Sequence, residues 1–255
     1  MEPSTPATKR RLQKCFEHAT KQKQQENYDY ATELFAQCVL GEPENKDYMQ
    51  SFLGNLQKKY GNNKKGASFS QMQARSNRAA IKKALPTSDW AEIIKNGVVV
   101  LKINPWDVPT LTAMASAVAG LVAGENSTGG FSNCELILLK AALEQNPKDP
   151  EVNRLCGLAL GKRGQFDQAI ACWHRVEQAR PDDEEPKRAI ASLAVEKTLK
   201  IDQKDPKKLV AKQQPGGGSM GQAASAGGRG QATEAEQRQA GQENLTPEER
   251  LRRRF

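Results

Sequence analysis

Three times in this chain a large aromatic residue is followed fifteen positions later by proline: Tyr28 to Pro43, Trp90 to Pro105 and Phe166 to Pro181. A fourth segment, Phe131 to Pro147, is one residue longer, and Pro147 and Pro181 lie 34 residues apart. Proline removes a backbone donor and ends a helix, so each segment reads as one helix with a fixed stop. A helix-sized block recurring with this period cannot bury its apolar side alone, and it predicts helical hairpins stacked one on the next.

The last block, Pro150 to Pro181, carries the most complete pattern. Gly157 and Ala169 are small enough to let two helices approach closely, Trp173 fills the space between neighbours, Gly164 serves a turn, and Pro181 stops the second helix. This block closely resembles a tetratricopeptide repeat, a family in which one repeat is helix, turn, helix. Asn153, Cys156 and Val176 depart from the resemblance, standing where the family prefers a large aromatic, Leu and Ala; they weaken local packing. Tyr28, Ala31, Phe35, Cys38 and Pro43 repeat the offsets of Phe166, Ala169, Trp173, Val176 and Pro181. The Trp90 segment has Ile93 and Gly97 in place of the small and aromatic residues.

The intervals between prolines show where the array is interrupted. Pro43 to Pro105 is 62 residues and Pro105 to Pro147 is 42, exceeding the period by 28 and 8. The larger excess begins at the polar run Gly61–Gly66 and ends near Pro86–Asp89; the smaller is the run of turn formers Gly124–Gly130. An insertion between the helices of a repeat projects from an edge of a solenoid, either as a functional element or as tolerated loop growth. Inside the larger one, Ser68–Leu85 can form a helix with Phe69, Met72, Ile81 and Leu85 apolar.

The expected fold is all-α: a right-handed superhelical array of antiparallel helix pairs, a tetratricopeptide-like α-solenoid with a disordered C-terminal tail. Residues 1–8 are expected to be disordered and 9–200 to form about four repeats plus a capping helix, with a basic insertion at 61–88. Glu184–Leu199 has the helical spacing and polar outer face of a cap. The low hydrophobic content, 37%, has a source in 201–244, which turns Lys-rich and then Gly/Ser/Gln-rich and cannot offset its ordering entropy. The segment 245–255 starts as a helix would, with Thr246 and Pro247, and reads as a docking helix or as the beginning of a truncated repeat.

Charge is unevenly placed. Of the net +8, residues 61–89 hold +5 and the tail from 201 holds +3, leaving the repeat body nearly neutral. Lys64, Lys65, Arg75, Arg78, Lys82 and Lys83 are therefore the candidate polyanion contacts, although Phe69 is the one aromatic among them and no nucleic-acid motif is visible.

Catalytic arrangements are not evident. The two histidines, His18 and His174, stand in no metal-binding array, and Cys15 and His18 lack a second ligand pair, so no metal and no cofactor is expected. The five cysteines, Cys15, Cys38, Cys134, Cys156 and Cys172, fall at or beside packing positions and read as small buried hydrophobes of a reducing, cytoplasmic compartment. The Gly-rich runs lack the Gly-Lys-Ser/Thr ending of a phosphate loop. The uncharged Val108–Gly124 is near the lower limit for a membrane span, but its Ala, Gly, Thr and Ser content and Pro109 suit the first helix of a repeat. Asn96–Ile103 is β-branched enough for a strand, yet its place before Pro105 favours a helix end.

What remains is a surface that holds a partner. Family register implies a concave lining of Phe16, Thr20, Lys23, Asp47, Gln50, Gln57, Lys58, Thr112, Ser116, Glu151, Arg154 and Lys162, suited to an extended peptide. Lys23, Lys58, Arg154 and Lys162 could pair acidic side chains or a terminal carboxylate. Phe16 and Thr20 stand where some relatives carry the Lys and Asn of a clamp for chaperone tails, so that partner is not assigned. The expected function is a non-enzymatic adaptor for a protein or peptide; the alternative is a nucleic-acid-associated protein using 61–88 and the tail.

Overall fold

The computed structural model describes residues 5–125 and 133–204. Within them eleven helices follow in order: α1 Pro6–Gln24, α2 Tyr28–Gly41, α3 Lys46–Lys59, α4 Ser70–Gln73, α5 Arg75–Ala84, α6 Trp90–Ile103, α7 Val108–Glu125, α8 Asn133–Gln145, α9 Pro150–Lys162, α10 Phe166–Ala179 and α11 Glu184–Lys204. Chain contacts separate 1–208 from 209–255, and the second unit lies outside the described residues, as do the expected linker beyond Lys204 and the segment 245–255. So do Phe131 and most of the turn run Gly124–Gly130.

The proline stops act as the sequence implies. Helices α2, α6, α8 and α10 each end two residues before Pro43, Pro105, Pro147 or Pro181. Steric conflict with the proline ring drives the intervening residue out of helical geometry: Glu42, Asn104 and Arg180 have φ near −140° and ψ of 79°, 97° and 76°. Starts are set by side-chain caps, with Thr5, Asn45, Asp89 and Asp149 accepting from free amides of the first turn. Thr5 and Pro6 thereby begin α1 inside the stretch 1–8 expected to be disordered. At the other end α11 continues to Lys204, past the expected boundary at 200.

Close approach at small residues joins the helices. A Cβ on Gly157 of α9 would lie 2.7 Å from Trp173 Nε1 of α10, and one on Gly41 of α2 would lie 2.7 Å from Leu12 Cδ1 of α1. Between α6 and α7 the same device appears twice, Gly97 under Met114 and Gly120 under the indole of Trp90. The small-residue composition of Val108–Gly124 thus serves packing, and among the described residues no helix is long and apolar enough to cross a membrane. The stretch Asn96–Ile103 is helical. Cys38, Cys134, Cys156 and Cys172 are buried and Cys15 is half-buried; none of the five is in a disulfide. Burial, with Cys15 beside it, pushes the Cys38 thiol up to about 12.

The second repeat departs from simple periodicity. α3 packs along α2 and also touches α8, but among the described residues it has no extended contact with α6. The helix that pairs with α6 is α5, from inside the segment expected to project as an insertion. Ile81 and Ala84 are buried there, and Asn77 Nδ2 donates to Asn96 Oδ1 at 2.9 Å. The expected single helix over Ser68–Leu85 is broken at Ala74.

Polar ties hold this junction. Asn55 of α3, fully buried, donates to Tyr28 O and Thr32 Oγ1 at 3.0 and 2.9 Å, fixing α3 on α2. Tyr60 OH donates to Lys102 O at 2.7 Å, and Ala67 N donates to Ile103 O at 2.8 Å, so the loop after α3 closes the end of α6. Farther along, Arg163 at the end of α9 pairs with Glu135 of α8 at 3.0 Å.

Gly157→Ala is expected to destabilise the chain by about 1–2 kcal/mol, because its Cβ meets an immobile indole and this outweighs the helix-propensity gain of about 1 kcal/mol. Denaturant unfolding measures the difference, and an unchanged or raised midpoint would contradict the close-packing account.

Candidate partner-binding groove

Helices α1 and α3 both pack on α2 and touch each other, with aromatic rings at their contact. Phe16 is half-buried, 5.7 Å from Phe35 and 5.0 Å from Tyr48 by ring centroids. Thr20 donates its hydroxyl to Phe16 O at 2.9 Å within α1. Both residues are half-buried. One turn further on, Lys23 is half-buried with Nζ 6.0 Å from the Phe35 centroid and 3.6 Å from where a Cβ on Gly54 would stand. Gly54 keeps the floor of the face low, so the ammonium can lie across to α3.

Lys58 of α3 is exposed nearby. Burial, reinforced by the charge of Lys58, holds the Lys23 ammonium below its ordinary pKa. Among the described residues no carboxylate forms an ion pair with either lysine. Two like charges held together without a counterion are a standing electrostatic cost that an incoming anion relieves.

The other lining candidates are dispersed. Asp47 and Gln50 are exposed on α3, and Gln57 is half-buried. Thr112 of α7 donates to Val108 O and Pro109 O at 3.1 and 3.0 Å, and Ser116 is half-buried. Arg154 of α9 pairs with Glu185 of α11 at 3.0 Å and with Glu151 at 3.3 Å; its hydrogen bond to Glu185 raises its pKa and commits it to tying the last helices together. Lys162 is exposed. Helices α7 and α9 have no extended contact with α1 or α3 among the described residues, so the structure gathers Phe16, Thr20, Lys23 and Lys58 and leaves the later positions apart. Gly54, which shapes the floor, was not singled out from the sequence; its signal was a glycine in the middle of a capped helix.

The basic candidates also divide. Lys65, Arg75, Lys82 and Lys83 are exposed, whereas Arg78 is paired with Asp107, itself 6% exposed, and Lys64 Nζ sits 5.6 Å from the Trp106 ring. Arg78 thus anchors α5 to the start of α7. Among the described residues no group of three or more His, Cys, Asp or Glu is placed to hold a metal ion.

Successive antiparallel helix pairs closed by an end helix define a helical-repeat protein. Residues 138–193, from α8 into α11, match the tetratricopeptide repeat family model, so that segment carries tetratricopeptide-repeat sequence. Among solved structures the chain is similar to the crystal structure of MamA protein, at 13% identity over 82% of this chain and 98% of that one with a TM-score of 0.35. It is also similar to TTC0263, described as a thermophilic TPR protein in Thermus thermophilus, at 14% identity over 72% of this chain and 99% of that one with a TM-score of 0.32. At such scores neither structure informs on curvature or groove shape here. No curated protein gives a significant match.

Two outcomes follow for the charged residues. Replacing Asp107 with Ala is expected to cost about 1.5–3 kcal/mol, the range for hydrogen bonds to a charged group, while Lys82→Ala leaves stability unchanged. Lys58→Met should raise the Lys23 pKa toward its ordinary value, which a ¹⁵N titration of the Lys23 ammonium reads directly; no movement would mean the two charges do not sense each other.

Proposed function

We propose that this chain is a non-enzymatic adaptor that holds an extended, acid-bearing peptide or protein segment against the common face of α1 and α3. The tetratricopeptide fold supports a protein-interaction scaffold in general. The observation that carries the finer reading is the Lys23 and Lys58 pair: a half-buried ammonium beside a second one, over a glycine floor, with no acid partner among the described residues. A carboxylate from a partner would pair with both at once, and Phe16 and Thr20 would lie along the peptide. Cysteines left outside disulfides support a reducing compartment, which we take to be the cytoplasm.

Binding to an array of immobilised extended peptides tests this. The wild-type chain is expected to retain peptides rich in Asp and Glu, with affinity falling as salt rises; Lys23→Glu/Lys58→Glu should weaken retention by about tenfold or more, the scale of one lost charged contact. Lys82→Glu/Lys83→Glu should not change it. The reverse pattern, with RNA captured by wild type and lost in the second variant alone, would favour the nucleic-acid reading of 61–88. Charge reversal keeps α5 in place as a packing partner of α6.

A further inference from the structure

The turn between α3 and α5 displays two large apolar side chains that the groove does not use. Phe69 is 77% exposed and Met72 is 72% exposed, more than any other large hydrophobic among the described residues. Phe69 is the residue just before α4 and Met72 lies within it, three positions on. Looseness does not account for their exposure, because the turn is built. Asn63 Oδ1 accepts from Lys65 N and Gly66 N at 2.9 and 2.8 Å, and Ser70 Oγ donates to Lys65 O at 3.3 Å. Ala67 N is pinned to the end of α6, and Phe69 itself is held at φ +58°, a conformation unfavourable for a bulky residue. Backbone strain of this kind persists only where surrounding contacts over-determine it.

The charge around this knob has one sign. No acidic residue occurs from 61 to 88. Lys65, Arg75, Lys82 and Lys83 are exposed and have no carboxylate partner among the described residues. They run from the turn along α5.

We propose that this segment is a membrane-surface docking site, in which Phe69 and Met72 enter the boundary between headgroups and acyl chains of an anionic bilayer while Lys65, Arg75, Lys82 and Lys83 pair with its phosphates and carboxylates. A polynucleotide would match the cations and could stack on Phe69, but Met72 offers no ring face and would stay in water. Cations spread over the turn and α5 suit a sheet of anionic headgroups better than the few carboxylates of one protein pocket. Attachment by two side chains and a basic patch is shallow and reversible, so it would bring the groove and its cargo to a membrane without embedding a helix.

Co-sedimentation of the full chain with vesicles of phosphatidylcholine, alone or with about 30% phosphatidylserine as the anionic component, tests the proposal. Wild type is expected to bind the phosphatidylserine vesicles only, and less at high salt. F69S/M72S should lower the bound fraction at least about tenfold with an unchanged thermal melt, because both side chains already lie in water. K65E/R75E/K82E/K83E should abolish binding, and K23E/K58E should leave it intact, which separates this surface from the groove. Absence of binding, equal binding to both vesicle types, or binding unchanged in F69S/M72S overturns the proposal; the last result would assign the segment to bare polyanion contact.

Discussion

Everything in this fold depends on helices coming closer than ordinary side chains allow. At Gly157 under Trp173, Gly41 under Leu12, Gly97 under Met114 and Gly120 under Trp90, a missing Cβ on one helix receives a bulky side chain from its neighbour. Each contact sets both the distance and the rotation of a pair, since a large group fits only where the small residue faces it. Because the helices are individually short, this mutual burial, far more than helix propensity, keeps them formed. A single contiguous core consequently runs from Leu12 of α1 to Leu193 of α11.

The second repeat shows how such an array absorbs extra chain. Residues after Tyr60 fold back on the end of α6 through Tyr60 and Ala67, and α5 then covers the side of α6 that a regular array would give to α3. Freed from that role, α3 remains fastened to α2 by buried Asn55 and gains a contact with α8. An element that reads as an addition in the sequence is thus part of the core on one side. On its other side it presents the basic residues and the Phe69 and Met72 knob. Arg78 marks the division: its charge is spent on Asp107, while its neighbours Lys82 and Lys83 remain in solvent.

The two proposed surfaces differ in how their charges are held. Lys23 is a cation half-buried beside the Phe35 ring, with exposed Lys58 nearby, and lower local polarity there strengthens a contact with one well-placed carboxylate. Lys65, Arg75, Lys82 and Lys83 are exposed and act as a field on an extended surface, weakened by salt. A scaffold with both would hold a partner by one face and a location by another. Arg154, at a register position of the same kind as the groove lysines, does neither, because Glu185 from the closing helix reaches it first.

Helix stops were legible in the sequence because they rest on local rules: proline ends a helix wherever it falls, and Asp, Asn or Thr caps one. The same holds for the small positions Gly157 and Ala169, whose spacing repeats. Partnership was not legible. Which helix lies on α6, whether Arg154 is free and whether Lys23 and Lys58 meet are decided by residues tens of positions apart, and no local pattern records them. Spacing carries no information about which of two candidate helices wins the contact with α6. Burial of Ile81 and Ala84, with the Asn77 and Asn96 bond, settled it for α5, and only the folded chain brings those residues together.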